Sequence, residues 1–467
     1  MPRRSAALPA LLRRFAVLPA LLLLLLAACT GGGAGERPPD AAVTEEVPGT
    51  IVVASGRDVT GTNGVRQQLI DAWNRREQRT GSQYRARLVE LPGSADEQRS
   101  QLLGALQSRS AEYDVVNLDV TWVPEFAEAG LVRALPDDVV DEDVIASVAE
   151  TARWDGKVYA VPFNSDVGLL YYRRDLMRRA GVEEPYVPEG FTWDRLRGHV
   201  ETLHSKLPGA FAKGWTTQLA AYEGRTVNAV EAFASAVPGL ELVDGKGRYA
   251  GDVEELTRGV AELRRRTEPA YTLPDAAGSD EAAATSAFVK GRTVFLRAWP
   301  SAYPTLYQVF GDELGVARLP GRAVLGGQNL AVSRTSQRSG KATELIRYLT
   351  GRESERCLLE AGFAATRGSA YDGLVRCPPA VSAVPSPSPT GEGADGAPRR
   401  DGGRPGFADE MLRDALSEAV HRPRTPLYGA FTQTFITELG PLFGEGPPGD
   451  EELARRLDEA LRRALPG

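Results

Sequence analysis

The chain has 467 residues, 42% hydrophobic and 25% charged, the composition of a folded protein with room for two or three domains. Three cysteines exclude a disulfide-built scaffold and a thiol-bound zinc or iron–sulfur site, leaving at most one disulfide. With 55 Lys and Arg against 62 Asp and Glu, the net charge of −7 offers nucleic acid and anionic lipid no general attraction.

In chain order, Arg3, Arg4, Arg13 and Arg14 precede an apolar run over 15–28. That run is shorter than the roughly 20 residues a membrane span needs, so 1–28 reads as a secretion signal. Its end, Leu26-Ala27-Ala28-Cys29, resembles the bacterial lipobox, which implies cleavage before Cys29 and lipidation of that residue. The mature chain is then expected on the outer face of the bacterial cytoplasmic membrane, extracellular or periplasmic. Residues 29–49 lack hydrophobic period and are rich in Gly, Pro and acid, the pattern of a flexible tether. No later stretch is apolar and long enough to span a bilayer, so a water-soluble body held by its lipid is expected.

That body begins near Thr50. Strand-like 51–54 is followed by Val65, Leu69 and Trp73 at helical spacing, then strand 86–91, a helix through Leu102, Leu103 and Leu106, and strand 114–118. Further strands are expected at 168–172, 293–296, 314–319 and 330–333, with helices between them. The alternation points to an α/β protein with parallel sheets covered by helices. The final helix carries Leu453, Leu457, Leu461 and Leu465 on one stripe. Roughly 415 body residues exceed the ~250–300 one core supports, so two lobes are expected. Segment 378–406 holds seven Pro and six Gly and reads as a disordered surface insertion. Its GxGxxG, Gly391, Gly393 and Gly396, has neither a strand before it nor a helix after it.

Catalytic signals are sparse. His199 and His204, five apart, do not share a helix face, and GxSxG, HExxH, Walker and CxxC motifs are absent. A metal site is not expected, and a pair of carboxylates at glycosidase separation is the enzymatic option left open.

Several segments together resemble the extracellular solute-binding proteins of carbohydrate ABC importers, in the branch of the maltose- and trehalose/maltose-binding proteins. They are YDVVNLDVTWVPEFAEAGLVRAL (113–135), WDGKVYAVPFNSDVGLLYYRRDLMRRAG (154–181), FTWDRL (191–196), AYEG (221–224), AFVKGRTVFLRAWPSAY (287–303), LGGQNLAVSRTS (325–336) and RPRTPLYGAFTQ (422–433). The resemblance covers about 50–377 and 407–467. It implies a two-lobed, type II binding-protein fold with a hinge and a central cleft: 50–163 and 329–377 in lobe one, 164–328 and 407–467 in lobe two.

The same resemblance implies a non-enzymatic, monomeric receptor without cofactor, which captures a disaccharide or short oligosaccharide and delivers it to permease subunits. Carried over residue by residue, the ligand set is Asp119, Trp122, Asn164, Asp166, Tyr222, Glu223, Glu281, Arg297, Trp299, Gly327, Arg422 and Tyr428. Aromatic faces suit sugar C–H surfaces, and carboxylates, amides and guanidinium forks suit hydroxyls. Each has a structural alternative: Trp299 as core, Asp166 as a turn residue, Arg297 as the partner of a carboxylate. Ala298 departs from the branch, which often has an amide before the cleft Trp-Pro, as does Arg225 after the YEG segment, so the sugar could differ. Trp73, Trp154, Trp193 and Trp215 read as structural. A glycan-processing enzyme and a sensor lipoprotein with the same fold are the competing functions. Cys357 and Cys377, 20 apart in the exported body, are expected to pair, with two separate buried thiols as the alternative.

Overall fold

The computed structural model describes residues 46–56, 64–182, 191–372, 376–378, 399–400, 404–405 and 410–465. Cys29, the signal segment and the tether up to residue 45 lie outside these. β1 (Thr50–Gly56), β2 (Arg85–Leu91) and β3 (Val115–Asp119) form parallel pairs with helices Val65–Arg79 and Ala95–Gln107 between them. A two-rung hairpin of β4 (Arg153–Trp154) and β5 (Lys157–Val158) follows. β6 (Val161–Val167) then closes a five-stranded sheet of order β2-β1-β3-β11-β6, where β11 is Leu325–Val332. A second sheet holds β7 (Leu169–Arg173), β8 (Lys213–Thr216), β9 (Thr293–Ala298) and β10 (Leu314–Arg318) in the order β10-β7-β9-β8.

Two expectations are corrected here. Both sheets are mixed, because β11 runs antiparallel to β3 and β6, and β7 antiparallel to β9 and β10. The chain changes sheets at Gly168 and at 319–324 rather than at 163/164 and 328/329, since Asn164–Val167 and Leu325–Gln328 still pair within the first sheet. Gly168 is required at that passage: a methyl group there would fall 2.4 Å from Glu231 Oε1 and 3.0 Å from an Arg297 nitrogen. The third passage, 419–427, follows helix Glu410–Glu418, which packs on β6 of the first sheet and β10 of the second rather than belonging to lobe two alone.

The tether ends earlier than its composition suggests. Glu46 accepts from Gly340 N and Lys341 N at the start of helix Ser339–Leu349, where a carboxylate meets unpaired amides and the positive end of the helix dipole. Within the Pro/Gly-rich segment, Arg399–Arg400 and Arg404–Pro405 pair antiparallel, and the rest of 379–406, on which the expected disorder falls, lies outside the described residues. Cys357 and Cys377 form a disulfide.

Apolar faces meet as the periodicities suggest. Leu453, Leu457, Leu461 and Leu465 are buried against Phe233, Leu256, Phe431 and Phe435, and Val65, Leu69 and Trp73 pack against Ile51 and Val115.

Candidate ligand-binding cleft

β1 and β3 end at the same edge of the first sheet, β8 and β9 at one edge of the second. In α/β sheets ligands lie outside such carboxyl ends, because the strands stop there and the following loops diverge. The first edge carries a polar row fixed by register: Asp119, Gln328 and Asn164 are direct neighbours across β3, β11 and β6. Asp119 ends its strand in a turn, accepting from Thr121 N at 2.9 Å and Thr121 Oγ1 at 2.7 Å. Arg66, at the start of its helix, reaches back to Ser55, Asn164 and Gln328 and lies over the Phe163 ring at 4.9 Å. Asn117 Nδ2 donates to Ser55 Oγ at 3.1 Å.

At the second edge, Glu223 opens helix Glu223–Ala236, Tyr222 precedes it, and exposed Glu281 opens helix Glu281–Val289. Burial, reinforced by Glu281, raises the Tyr222 phenol, which therefore remains a neutral hydroxyl. Trp299 follows β9, and Pro300 turns the chain away. Its half-buried ring rests on the Arg297 guanidinium, 3.8 Å from the centroid, and against Gly326. A methyl group on Gly326 would come 3.2 Å from the ring and from Asp166 Cβ, so glycine allows this contact. Gly326 and Gln328 are two apart on β11 and share a face, placing the ring beside the polar row.

Arg422, on the third passage, joins the two edges. NH2 donates to Asp119 Oδ1 at 2.9 Å and NH1 to Glu223 Oε1 at 2.6 Å. Glu223 also accepts from Tyr428 OH and from Thr432 Oγ1 at 2.6 Å. Burial raises the Glu223 carboxyl, with Arg422 pulling the other way. Burial disfavours the charge on Arg422, but the carboxylates of Asp119 and Glu223 outweigh it and raise its pKa.

The sequence-expected set therefore divides. Asp119, Asn164, Trp299, Arg422 and Glu223 converge, with Tyr222 and Glu281 beside them at the second edge. Trp122 is instead core, 5% exposed among Val123, Phe126 and Leu131. Arg297 is 1% exposed and paired with Glu231 at 2.7 Å, so it supports the Trp299 ring rather than facing a ligand. Gly327 is needed for pairing: its φ is +114° and a methyl group would fall 2.3 Å from the Asn164 carbonyl. Tyr428 is buried and positions Glu223, and buried Asp166 lies on β6 opposite Gly326. Arg66, Gln328 and Thr432 were not anticipated. Gln328 and Thr432 lay within quoted segments; Arg66, between Val65 and Gln67 at the start of a helix, gave no signal.

Residues 46–356 match the family model described as bacterial extracellular solute-binding protein. A probable ABC transporter-binding protein of Deinococcus radiodurans is 27% identical over 315 residues, 64% of this chain and 72% of that protein. Among solved structures, maltose-bound MalE3 of T. maritima superposes with a TM-score of 0.71 at 22% identity, covering 89% of this chain and all of that one (100%). The GacH receptor of Streptomyces glaucescens gives 0.69 at 21% identity, covering 90% and 99%. The fold is thus the two-lobed type II arrangement, and the chain belongs to the bacterial extracellular solute-binding proteins.

Proposed function

We propose that this protein is the lipid-anchored receptor of an ABC importer and encloses a neutral sugar between its lobes. One observation carries the reading: a half-buried aromatic ring, Trp299, lies beside a row of polar side chains, Asp119, Gln328 and Asn164, where the two sheet edges meet. A sugar offers C–H faces to the ring and hydroxyls to the row, and needs no net charge from its site. The structural relatives were solved with maltose for MalE3, acarbose for GacH, and tagatose or mannitol for others, which supports a sugar or polyol as the ligand class. Anchoring follows from Cys29 at the end of the signal segment, and delivery to permease subunits from the family.

Melting curves with maltose, maltotriose, trehalose and mannitol test this. A ligand at 100 times its Kd stabilises the folded state by about 2.7 kcal/mol, a shift of a few degrees. The sugar should be recovered unchanged. No shift with any of them, or hydrolysis of one, rejects the reading. Mass spectrometry of the membrane fraction should find a cleaved, lipidated Cys29.

A further inference from the structure

A cavity of about 760 Å³ lies apart from the cleft. Its walls come from both lobes and from two of the three passages between them: the β4–β5 hairpin, helix Glu223–Ala236 with the following loop 239–245, Arg322, and residues 417–424. Of the cleft residues only Arg422 borders it; Asp119, Asn164, Glu223 and Trp299 do not. Its volume is within the roughly 300–1,000 Å³ of small-molecule sites.

The lining carries buried guanidinium N–H groups without acceptors beside an apolar surface. Arg424 donates to the Arg153 carbonyl and its Nε is buried without a partner, while the Glu150 carboxylate acts on it through space. Arg422 Nε is likewise buried without a partner. Exposed Arg322 donates to the Glu418 carbonyl at 3.4 Å and also acts on the Glu418 carboxylate, which Arg318 already holds. Among the acids around the cavity, Glu418 is held by Arg318 and Asp244 by Arg248, whereas Asp155 and Glu241 are exposed to solvent. Trp154, Leu240 and Val230 supply the apolar part. Buried guanidinium N–H groups without acceptors are costly, and an anion reaching them removes that cost.

We infer that this cavity is a second ligand site, for a small organic anion whose carboxylate or phosphate meets Arg322 and Arg424 while its apolar part lies on Trp154 and Leu240. An occupant touching both lobes and two passages binds best at one lobe angle. It therefore biases closure, and by linkage changes affinity at the cleft by the factor by which the cleft ligand changes its own.

Titration calorimetry of the mature chain with phenyl phosphate, without any sugar, tests the site independently of the cleft. Saturable 1:1 binding is expected, weakened at least tenfold by Arg322→Glu, which reverses an exposed charge, and by Leu240→Trp, which fills the cavity. Both variants should melt cooperatively near the wild type. Benzoate in parallel distinguishes the two head groups. No saturable binding of either probe to the wild type, or binding that survives both substitutions, overturns the inference.

Discussion

Arg297 and Arg422 are both nearly inaccessible, 1% and 4% exposed, and both are bonded to carboxylates, yet they sit in opposite kinds of place. Arg297 on β9 pairs with Glu231 inside one lobe. Glu231 Oε1 also accepts from Val324 N at 3.2 Å on the second passage, and Gly168 of the first passage lies against the same pair. Arg422 instead rides on the third passage and takes one carboxylate from each lobe. One ion pair braces the links; the other ties together the two surfaces that the links allow to move. Residue type and burial alone do not separate these roles. Connectivity does.

The largest effect expected is the loss of the bracing pair. Arg297→Met leaves Glu231 buried without its counter-charge, which costs about 3–5 kcal/mol. Arg422→Met should cost less, because Glu223 keeps Tyr428 and Thr432 and Asp119 keeps Thr121. It should instead change sugar affinity by tenfold or more, through the closure it no longer holds. Denaturant titration and calorimetry on both variants read the two axes. A stable Arg297→Met protein that has lost sugar binding would reverse the comparison.

That distinction shows where the sequence was legible. Seven strands were readable because their apolar runs are continuous or alternating. β6 was not among the expected strands because Val161–Val167 contains Pro162, Asn164, Ser165 and Asp166, which break an apolar run. It is an edge strand, where proline costs no ladder bond, and one of its polar residues, Asn164, belongs to the polar row of the cleft. The lobe boundary at 163/164, carried over from the family resemblance, falls inside this strand. Trp299 was carried over from the resemblance, and its place at a strand end before Pro300 is visible locally. The demotion of Arg297 depends on Glu231, 66 residues away, and no local pattern reports that contact.

The disulfide offers a covalent tie confined to one region. Cys357 and Cys377 close a loop of 20 residues, worth about 3 kcal/mol in the chain-entropy model. Reduction should lower the melting temperature while sugar affinity stays near its original value, as for Arg297→Met and unlike Arg422→Met. Affinity that falls on reduction would mean that this bond also sets the cleft.

Trp299 stands between the two arginines, its ring on one and beside the polar row that the other closes. Trp299→Ala removes a few tens of Å² of sugar contact, about 1–2 kcal/mol or tenfold to thirtyfold in Kd. The melt should remain cooperative, since the ring is only half-buried. Unchanged affinity with a melting temperature lowered as for a core tryptophan, about 3–5 kcal/mol, would move Trp299 to the bracing side of the comparison.

Glu355 provides the control that both arginine clusters lack: a carboxylate buried to 0% exposure that, among the described residues, has no guanidinium bonded to it. Its Oε2 accepts from Thr366 N at 2.7 Å, while nearby Arg367 gives its NH1 to Asp141 and Asp143. Burial pushes its pKa from the ordinary 4.5 to about 8. Between those values the folded chain holds a proton that the unfolded chain has released. Stability from this group is therefore complete below about 4.5 and is lost as pH rises towards 8, by at most about 1.4 kcal/mol per pH unit. Glu355→Gln keeps an acceptor for Thr366 N and cannot titrate, so its stability should fall less steeply than the wild type's between pH 5 and 8. Parallel slopes for the two proteins would show that the folded chain carries Glu355 ionised. Burial alone would then not neutralise a carboxylate here, and the counter-charges of Arg297 and Arg422 would matter less than their hydrogen bonds.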